Sequence, residues 1–239
     1  MKTKVLFGTL ALLAGTLIAA DSSPKDDIKG AAKKLAEKSN YSWKTTVESS
    51  GGGRGRRGPT EGKTAKDAFT SLSITAGDNT IEAVLKGGKG AIKTPDGWKS
   101  FAEASEGGGG QQNPGAFLAR MLQNYKVPAA QAEDLASKAK ELKKSDDAYT
   151  GELTEEGVKE LLTFGARPGG GDAPAVSGAK GSVKFWIKDG VLSKYEFKVQ
   201  GKVTFNGNDR DVDRTSTVEI KDVGSTKVEV PEEAKKKLS

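Results

Sequence analysis

The residues best spaced for chemistry are Gly58-Pro-Thr-Glu-Gly62-Lys63-Thr64, the acidic triplet Asp209, Asp211 and Asp213, and two arginine groups, Arg54, Arg56 and Arg57, and Arg210 and Arg214. The first has the outline of a phosphate-binding loop. Three residues separate its glycines where the phosphate cradle needs four, and a Gly-rich stretch precedes it rather than a strand, so ATP binding is not expected. The aspartates share the spacing of the first ligands of a calcium loop, but Arg214 stands at the required glycine and Ile220 at the bidentate acid. They fit the solvated face of a strand, and no metal site is expected. The opposite face of that strand carries Arg210, Val212, Arg214, Val218 and Ile220. Arg210 and Arg214 are therefore expected on a covered side, where they could hold a headgroup or a phosphate, although pairing with a carboxylate is the commoner arrangement.

Other catalytic chemistry is narrowed by what the chain lacks. With no His and no Cys among its 239 residues, it has no Ser-His triad, thiol nucleophile, imidazole zinc site or disulfide. Carboxylates, Lys, Ser and Tyr remain, in no recognisable arrangement. No cofactor and no catalytic residue is expected. Arg54, Arg56 and Arg57 on a Gly-rich backbone resemble segments that bind single-stranded nucleic acid or anionic surfaces. No aromatic is interleaved from Gly51 to Lys66 and the formal charge is only +6, so the reading is a solvated loop, with an anionic surface ahead of nucleic acid.

The elements that would position any site are mostly strands. From Ala179 to Val230, Val183, Phe185 and Ile187, then Tyr195, Phe197, Val199, Val203 and Phe205, alternate with polar residues, which predicts antiparallel strands with one apolar face. Asp189-Gly190 and Asn206-Gly207 read as turns, and Asp211 to Lys221 as the next long strand. Earlier, Ser23-Pro24 caps a helix carrying Ile28, Ala31, Ala32 and Leu35, and a strand from Tyr41 to Ser49 follows. Gly51 to Pro59 reads as a loop. Phe69 to Thr75 and Thr80 to Lys86 form a hairpin, and Gly90 to Lys93 a short strand. A helical block interrupts the sheet. One helix after Pro114 carries Phe117, Leu118, Met121 and Leu122, and a second after Pro128 runs from Ala132 to Leu142. Ala148 to Leu153 is a strand, Thr154 to Leu162 a short helix, and Arg167 to Ser177 a loose loop.

The N-terminus has the layout of an export signal: Lys2 and Lys4, an apolar run from Val5 to Ile18, Ala19-Ala20, then a polar Asp21. Cleavage is expected near Ala20, leaving residues 21–239 as a single domain with Gly-rich loops near 50–66, 105–115 and 167–178, in the periplasm or outside the cell. The run is short for a membrane span, which leaves an uncleaved anchor as the lesser alternative to cleavage. No Cys follows it, which argues against lipid anchoring.

One leading helix, strands in meander order, inserted helices and long closing hairpins resemble the LolA-like lipoprotein carriers and the LppX/LprG-type exported proteins. The wording of Gly181-Ser-Val-Lys-Phe-Trp-Ile-Lys-Asp-Gly190, Leu192-Ser-Lys-Tyr-Glu-Phe197 and Lys227-Val-Glu-Val-Pro-Glu-Glu-Ala234 is also similar. The Gly-rich loops depart from that pattern. The resemblance implies an α+β fold, a curved antiparallel half-barrel covered on its concave face by helices, with an apolar cavity for an acyl chain. Its walls would be Trp43, Val47, Leu72, Ile74, Phe185, Ile187, Phe197, Val199 and Phe205, with Phe117, Leu118, Met121 and Leu122 from the helices.

The expected function is an exported, non-catalytic binder or carrier of a lipid, acyl chain or lipidated protein, monomeric, touching a membrane surface transiently and binding no nucleic acid. The alternative is an envelope interaction module whose sheet is fully packed and holds no ligand. An enclosed apolar void of about 300 Å³ or more favours the first.

Overall fold

A strand with one apolar face needs neighbours on both edges and a cover, and eleven such strands join here in one sheet. The computed structural model describes residues 22–50, 57–66, 69–106, 114–163, 174–205 and 207–238. Its strands are β1 (Asn40–Ser49), β2 (Arg57–Ala65), β3 (Thr70–Ala76), β4 (Asn79–Lys86), β5 (Lys89–Thr94), β6 (Gly97–Ser100), β7 (Ala139–Ser145), β8 (Ala148–Leu153), β9 (Ala175–Lys188), β10 (Val191–Phe205) and β11 (Asn208–Lys221). Its helices are α1 (Pro24–Ala36), α2 (Phe101–Ser105), α3 (Pro114–Gln123), α4 (Pro128–Lys138), α5 (Glu155–Thr163) and α6 (Glu232–Lys236). The expected leader, Arg54, Arg56 and Asn206 lie outside the described residues, as do parts of all three Gly-rich segments.

The sheet is wholly antiparallel and open, in the order β6-β5-β4-β3-β2-β1-β11-β10-β9-β8-β7. The chain therefore starts at the centre, meanders to one edge at β6, and must reach the opposite edge at β7 before it meanders back to pair β11 with β1. Helices α2, α3 and α4 make that crossing, which forces them onto one face. Eleven strands at about 4.8 Å spacing span roughly 50 Å, a width at which sheets curl rather than stay flat. The result is the open half-barrel with helices on one face that the resemblance implies.

Helix α1 begins as expected: the Ser23 side chain accepts from the Asp26 N–H, and Ile28, Ala31, Ala32 and Leu35 are buried. It packs on β9 and β10 and against α4. Asp189 and Gly190, at φ +52° and +73°, close the β9–β10 turn in the paired left-handed conformation that such hairpins need.

Several boundaries differ from the sequence reading. Strand β2 occupies Arg57–Ala65, where no strand was expected, and the loop-like Gly58–Thr64 run lies within it. Its inward residues are Thr60, Gly62 and Thr64, so it shows no apolar alternation. Gly62 sits between Trp43 and Leu72 in register, and a Cβ there would collide with the Trp43 ring. The bulky neighbour fills the space that a β2 side chain would otherwise occupy. Pro59, which cannot donate to a ladder, falls in the register shift between Arg57 and Thr60.

The second predicted helix stops at Lys138 rather than Leu142. Ala139 and Leu142 belong to β7, and a register shift between them places residues three apart on the same buried side, mimicking helical spacing. Strand β9 starts at Ala175, inside the stretch expected to be loop, and β6 and α2 were not anticipated. Lys227–Val230 is not a strand. After β11, Asp222 turns with φ +50°, and the N–H groups of Gly224 and Thr226 bond to Asn40, leading the chain off the sheet.

That departing segment packs on the outer face. Ala234 and Leu238 are buried against Val84 and Ala91, with Phe69, Trp98 and Val230 around them. Lys237 bonds Glu103 at 2.6 Å, and Glu103 also closes a capping box with Ser100 at the start of α2. These bonds hold the Glu103 carboxyl down at about 2. Leu238→Ala should lower stability by about 2–3 kcal/mol through lost burial. Lys237→Ala should leave the urea midpoint almost unchanged, because its ion pair is solvent-screened. Equal shifts in urea unfolding would show that charge, not burial, holds the segment down.

Candidate ligand-binding interior

Side chains from both halves of the sheet meet under the crossing helices in one apolar cluster. Trp43 (β1), Leu72 (β3), Phe185 (β9), Phe197 and Val199 (β10) and Leu122 (α3) are all buried in it, and Ile74, Leu118, Met121 and Ile187 pack against it half-buried. Val47, one turn of the pleat beyond Thr45, is also half-buried. Phe117 points away and is 52% exposed. The side chain of Phe205 lies outside the described residues. Phe185 and Tyr195 lie with ring centroids 6.3 Å apart, tying β9 to β10.

The arginines divide. Arg214 lies half-buried, pairs in register with Val199, and donates through Nη2 to the Leu161 carbonyl at 3.3 Å, near the end of α5. Arg210 is exposed. The aspartates occupy the outer face: Asp213 bonds Lys198 and Gln200, and Asp209 bonds Lys202 and Thr204. Among the described residues there is no group of three or more His, Cys, Asp or Glu that could hold a metal. No described helix is long and apolar enough to cross a membrane.

Polar groups missed by the sequence reading converge within this apolar region. Tyr195 donates to Gln131 Oε1 of α4 at 2.6 Å. The Ala129 backbone bonds the Tyr41 hydroxyl. That contact works against the upward effect of burial on the phenol, so the Ala129 N–H is the donor. Tyr41 thereby serves one of the free N–H groups that open α4, whose N-cap residue Val127 makes no side-chain cap. Burial raises Tyr41 and Tyr125 to about 12, and Tyr195 well above its ordinary value. The Trp43 indole is 2% exposed. Its N–H lies beside the Tyr125 hydroxyl, whose oxygen can accept from it, and this contact lowers that phenol against the upward effect of burial. Tyr41 and Tyr195 sit at alternating, apolar-side positions and were legible only as core. Tyr125 lies in the short link between α3 and α4, where no periodicity marks it.

Around this region α4 is fastened at its far end. Lys138 bonds Asp134 at 2.7 Å and Glu160 of α5 at 2.9 Å, while Lys126 reaches Asp134 at 2.9 Å. Burial alone would raise Asp134, but the two lysines outweigh it and hold its carboxyl below the ordinary range. Helix α3 is held less broadly. Its main contacts are α2 and β5.

Two hollows of ligand size are open to solvent. One, about 460 Å³, lies between α1 and α4 and includes Lys29, Lys33, Glu133 and Asp134. The other, about 450 Å³, lies on the outer face between β3, β4 and the segment Glu229–Pro231. Neither is bounded by the sheet's covered face and its helices.

No family model matches the sequence, and no curated protein does. Among solved structures the chain is similar to the lipoprotein LppX of Mycobacterium tuberculosis, at 12% identity over 87% of this chain and 98% of that one, with a TM-score of 0.46. LprF from Mycobacterium bovis is similar at 10% identity over 88% and 97%, with a TM-score of 0.44. A LolA superfamily protein from Nitrosomonas europaea is similar at 10% identity over 87% and 96%, with a TM-score of 0.35.

Proposed function

We propose that this chain is an exported, non-catalytic binder or carrier of a lipid, acyl chain or lipidated protein, taken up between the covered face of the sheet and its helices. The observation that carries the reading is α3, an apolar helix only partly satisfied by its packing: Phe117 is 52% exposed, and Leu118 and Met121 are half-buried. A helix fastened to one side of a wide apolar face can be displaced by an acyl chain, which then covers the apolar surface that the helix uncovers. Each methylene buried contributes about 0.8 kcal/mol. The half-buried Ile74, Ile81 and Val47 extend that apolar floor. Absence of His and Cys from the sequence supports binding over catalysis. The leader over residues 1–20, a single domain over 21–239, a monomeric state and transient membrane-surface contact belong to the same proposal, with Arg214 rather than the exposed Arg210 as the inward-side headgroup candidate.

The packed interaction module draws support from the position of the two hollows, both outside the covered face. Native mass spectrometry of the purified protein, followed by organic extraction, separates the two. The carrier reading expects a co-purifying lipid, or saturable uptake of a fluorescent fatty acid by the delipidated protein. Well-folded material that carries no lipid and takes up none would establish the module instead.

A further inference from the structure

We propose that the outer-face hollow beside Trp98 is a binding site for a small methylated ammonium ion. It is separate from the covered face of the sheet and does not rest on the lipid-binding reading. The hollow, about 450 Å³, is lined by Ser71 and Ser73 of β3, Glu82 and Val84 of β4, Trp98 of β6 and the departing segment Glu229–Pro231. The charged residues among this described lining are both carboxylates, in a chain whose formal charge is +6. Glu82 is paired with Lys93 at 2.6 Å. The exposed Glu229 makes no ion pair among the described residues.

Trp98 is the counterpart of these carboxylates. The face of an aromatic ring is negative and attracts a cation within about 6 Å of its centroid. Elsewhere this chain supplies the cation itself: Lys86 stands 5.0 Å over Phe69, Lys144 5.6 Å over Tyr149, and Lys184 and Lys194 at 4.8 and 4.9 Å over Trp186. Among the described residues no lysine or arginine stands over Trp98. Its cross-strand partner is Lys93, which turns to Glu82 instead. An aromatic ring without a cation beside an unpaired carboxylate matches a ligand that carries positive charge. A methylated ammonium fits because its charge can lie against the ring, its methyl groups suit Val84 and Val230, and it needs no full set of acceptors. A metal ion does not fit, since it takes several oxygen ligands and no described group of three or more acidic residues offers them. The wall is also held in shape: Val230 and Trp98 pack together on the buried Val84, Ala234 and Leu238.

The test titrates choline into isotope-labelled protein, alongside its neutral isostere in which a tert-butyl group replaces the trimethylammonium. Nuclear magnetic resonance follows the indole N–H signals of the three tryptophans, that of Trp98 being assigned by its loss in Trp98→Leu. Choline should shift the Trp98 signal saturably and leave those of Trp43 and Trp186 in place. It should bind about 2–10-fold tighter than the neutral alcohol, the scale of a cation over a partly exposed ring. Glu229→Lys, a change at an exposed position, should abolish choline binding because it brings an ammonium group into the hollow. Absence of a saturable shift at Trp98, or equal affinity for choline and the alcohol, overturns the inference. So does choline affinity that survives in Glu229→Lys protein whose thermal unfolding matches that of the wild type.

Discussion

Gly62→Ala is expected to destabilise the protein by about 1–3 kcal/mol, the range for forcing an extra methyl into a packed interior. Trp43 is the reason. Its ring occupies the volume in which the new Cβ would stand, and the indole is buried, so it cannot swing into solvent. In most strands the same change is mildly favourable, since alanine loses less backbone entropy on folding than glycine does. The sign therefore reports whether the indole lies over this glycine. Combining the change with Trp43→Ala sharpens the result. Trp43→Ala alone should cost about 3–5 kcal/mol, but Gly62→Ala added to it should be neutral or slightly stabilising. The double-mutant cycle in urea should thus show a coupling of about 1 kcal/mol or more, as expected for residues in contact. Additive effects would remove the indole from Gly62.

The same pair explains where reading the sequence succeeded and where it stopped. Strands β9, β10 and β11 were legible because each carries its own alternation, from Val183-Phe185-Ile187 to Val218-Ile220, and because Asp189-Gly190 announces a turn. Strand β2 was not legible because its inward positions are Thr60, Gly62 and Thr64, and its contribution to the core is the space it leaves for Trp43. That information is held by β1, and only register brings it to Gly62. The overlong second helix failed for a related reason. A bulge gives Ala139 and Leu142 a shared face at a spacing that a helix would also produce.

Topology was the other hidden quantity. Composition and turn residues fix a meander, but nothing local says that β1 must pair with β11 rather than form an edge. Once it does, the crossing from β6 to β7 becomes obligatory, and the helical block acquires its place over the sheet. The candidate wall was therefore readable as a set of apolar residues, whereas the exposure of Phe117 and the polar cluster around Tyr41, Tyr125 and Tyr195 were not. The outer-face packing of Ala234 and Leu238 escaped for the same reason: a charged tail looks solvated until Val84 and Ala91 are found beneath it.

Alkaline unfolding should set in between pH 10 and 12 and should be driven by tyrosines. All four, Tyr41, Tyr125, Tyr149 and Tyr195, have raised pKa values in the folded state, chiefly through burial. Below pH 10 the folded and unfolded chains both keep their phenolic protons, and the full stability is present. As pH rises from 10 toward 12, the unfolded chain releases these protons while the folded chain retains them, so ionisation favours unfolding. For Tyr41, raised from 10.0 to about 12, the loss across this window is about 3 kcal/mol. Tyr125 and Tyr195 add in the same direction. A few such terms are comparable with the whole stability of a typical domain. Tyrosinate absorbance should consequently rise in one cooperative step that coincides with loss of the circular dichroism signal. Tyr41→Phe has two opposed effects that separate by pH. At neutral pH it weakens the protein by about 0.5–2 kcal/mol, because the Ala129 N–H at the head of α4 loses its acceptor. Above pH 10 it removes one ionisation, so stability should decline less steeply with pH than in the wild-type protein. Phenols that titrate independently near pH 10 while the sheet signal persists would show that these hydroxyls are in contact with water, and that the interior beneath α4 is already open.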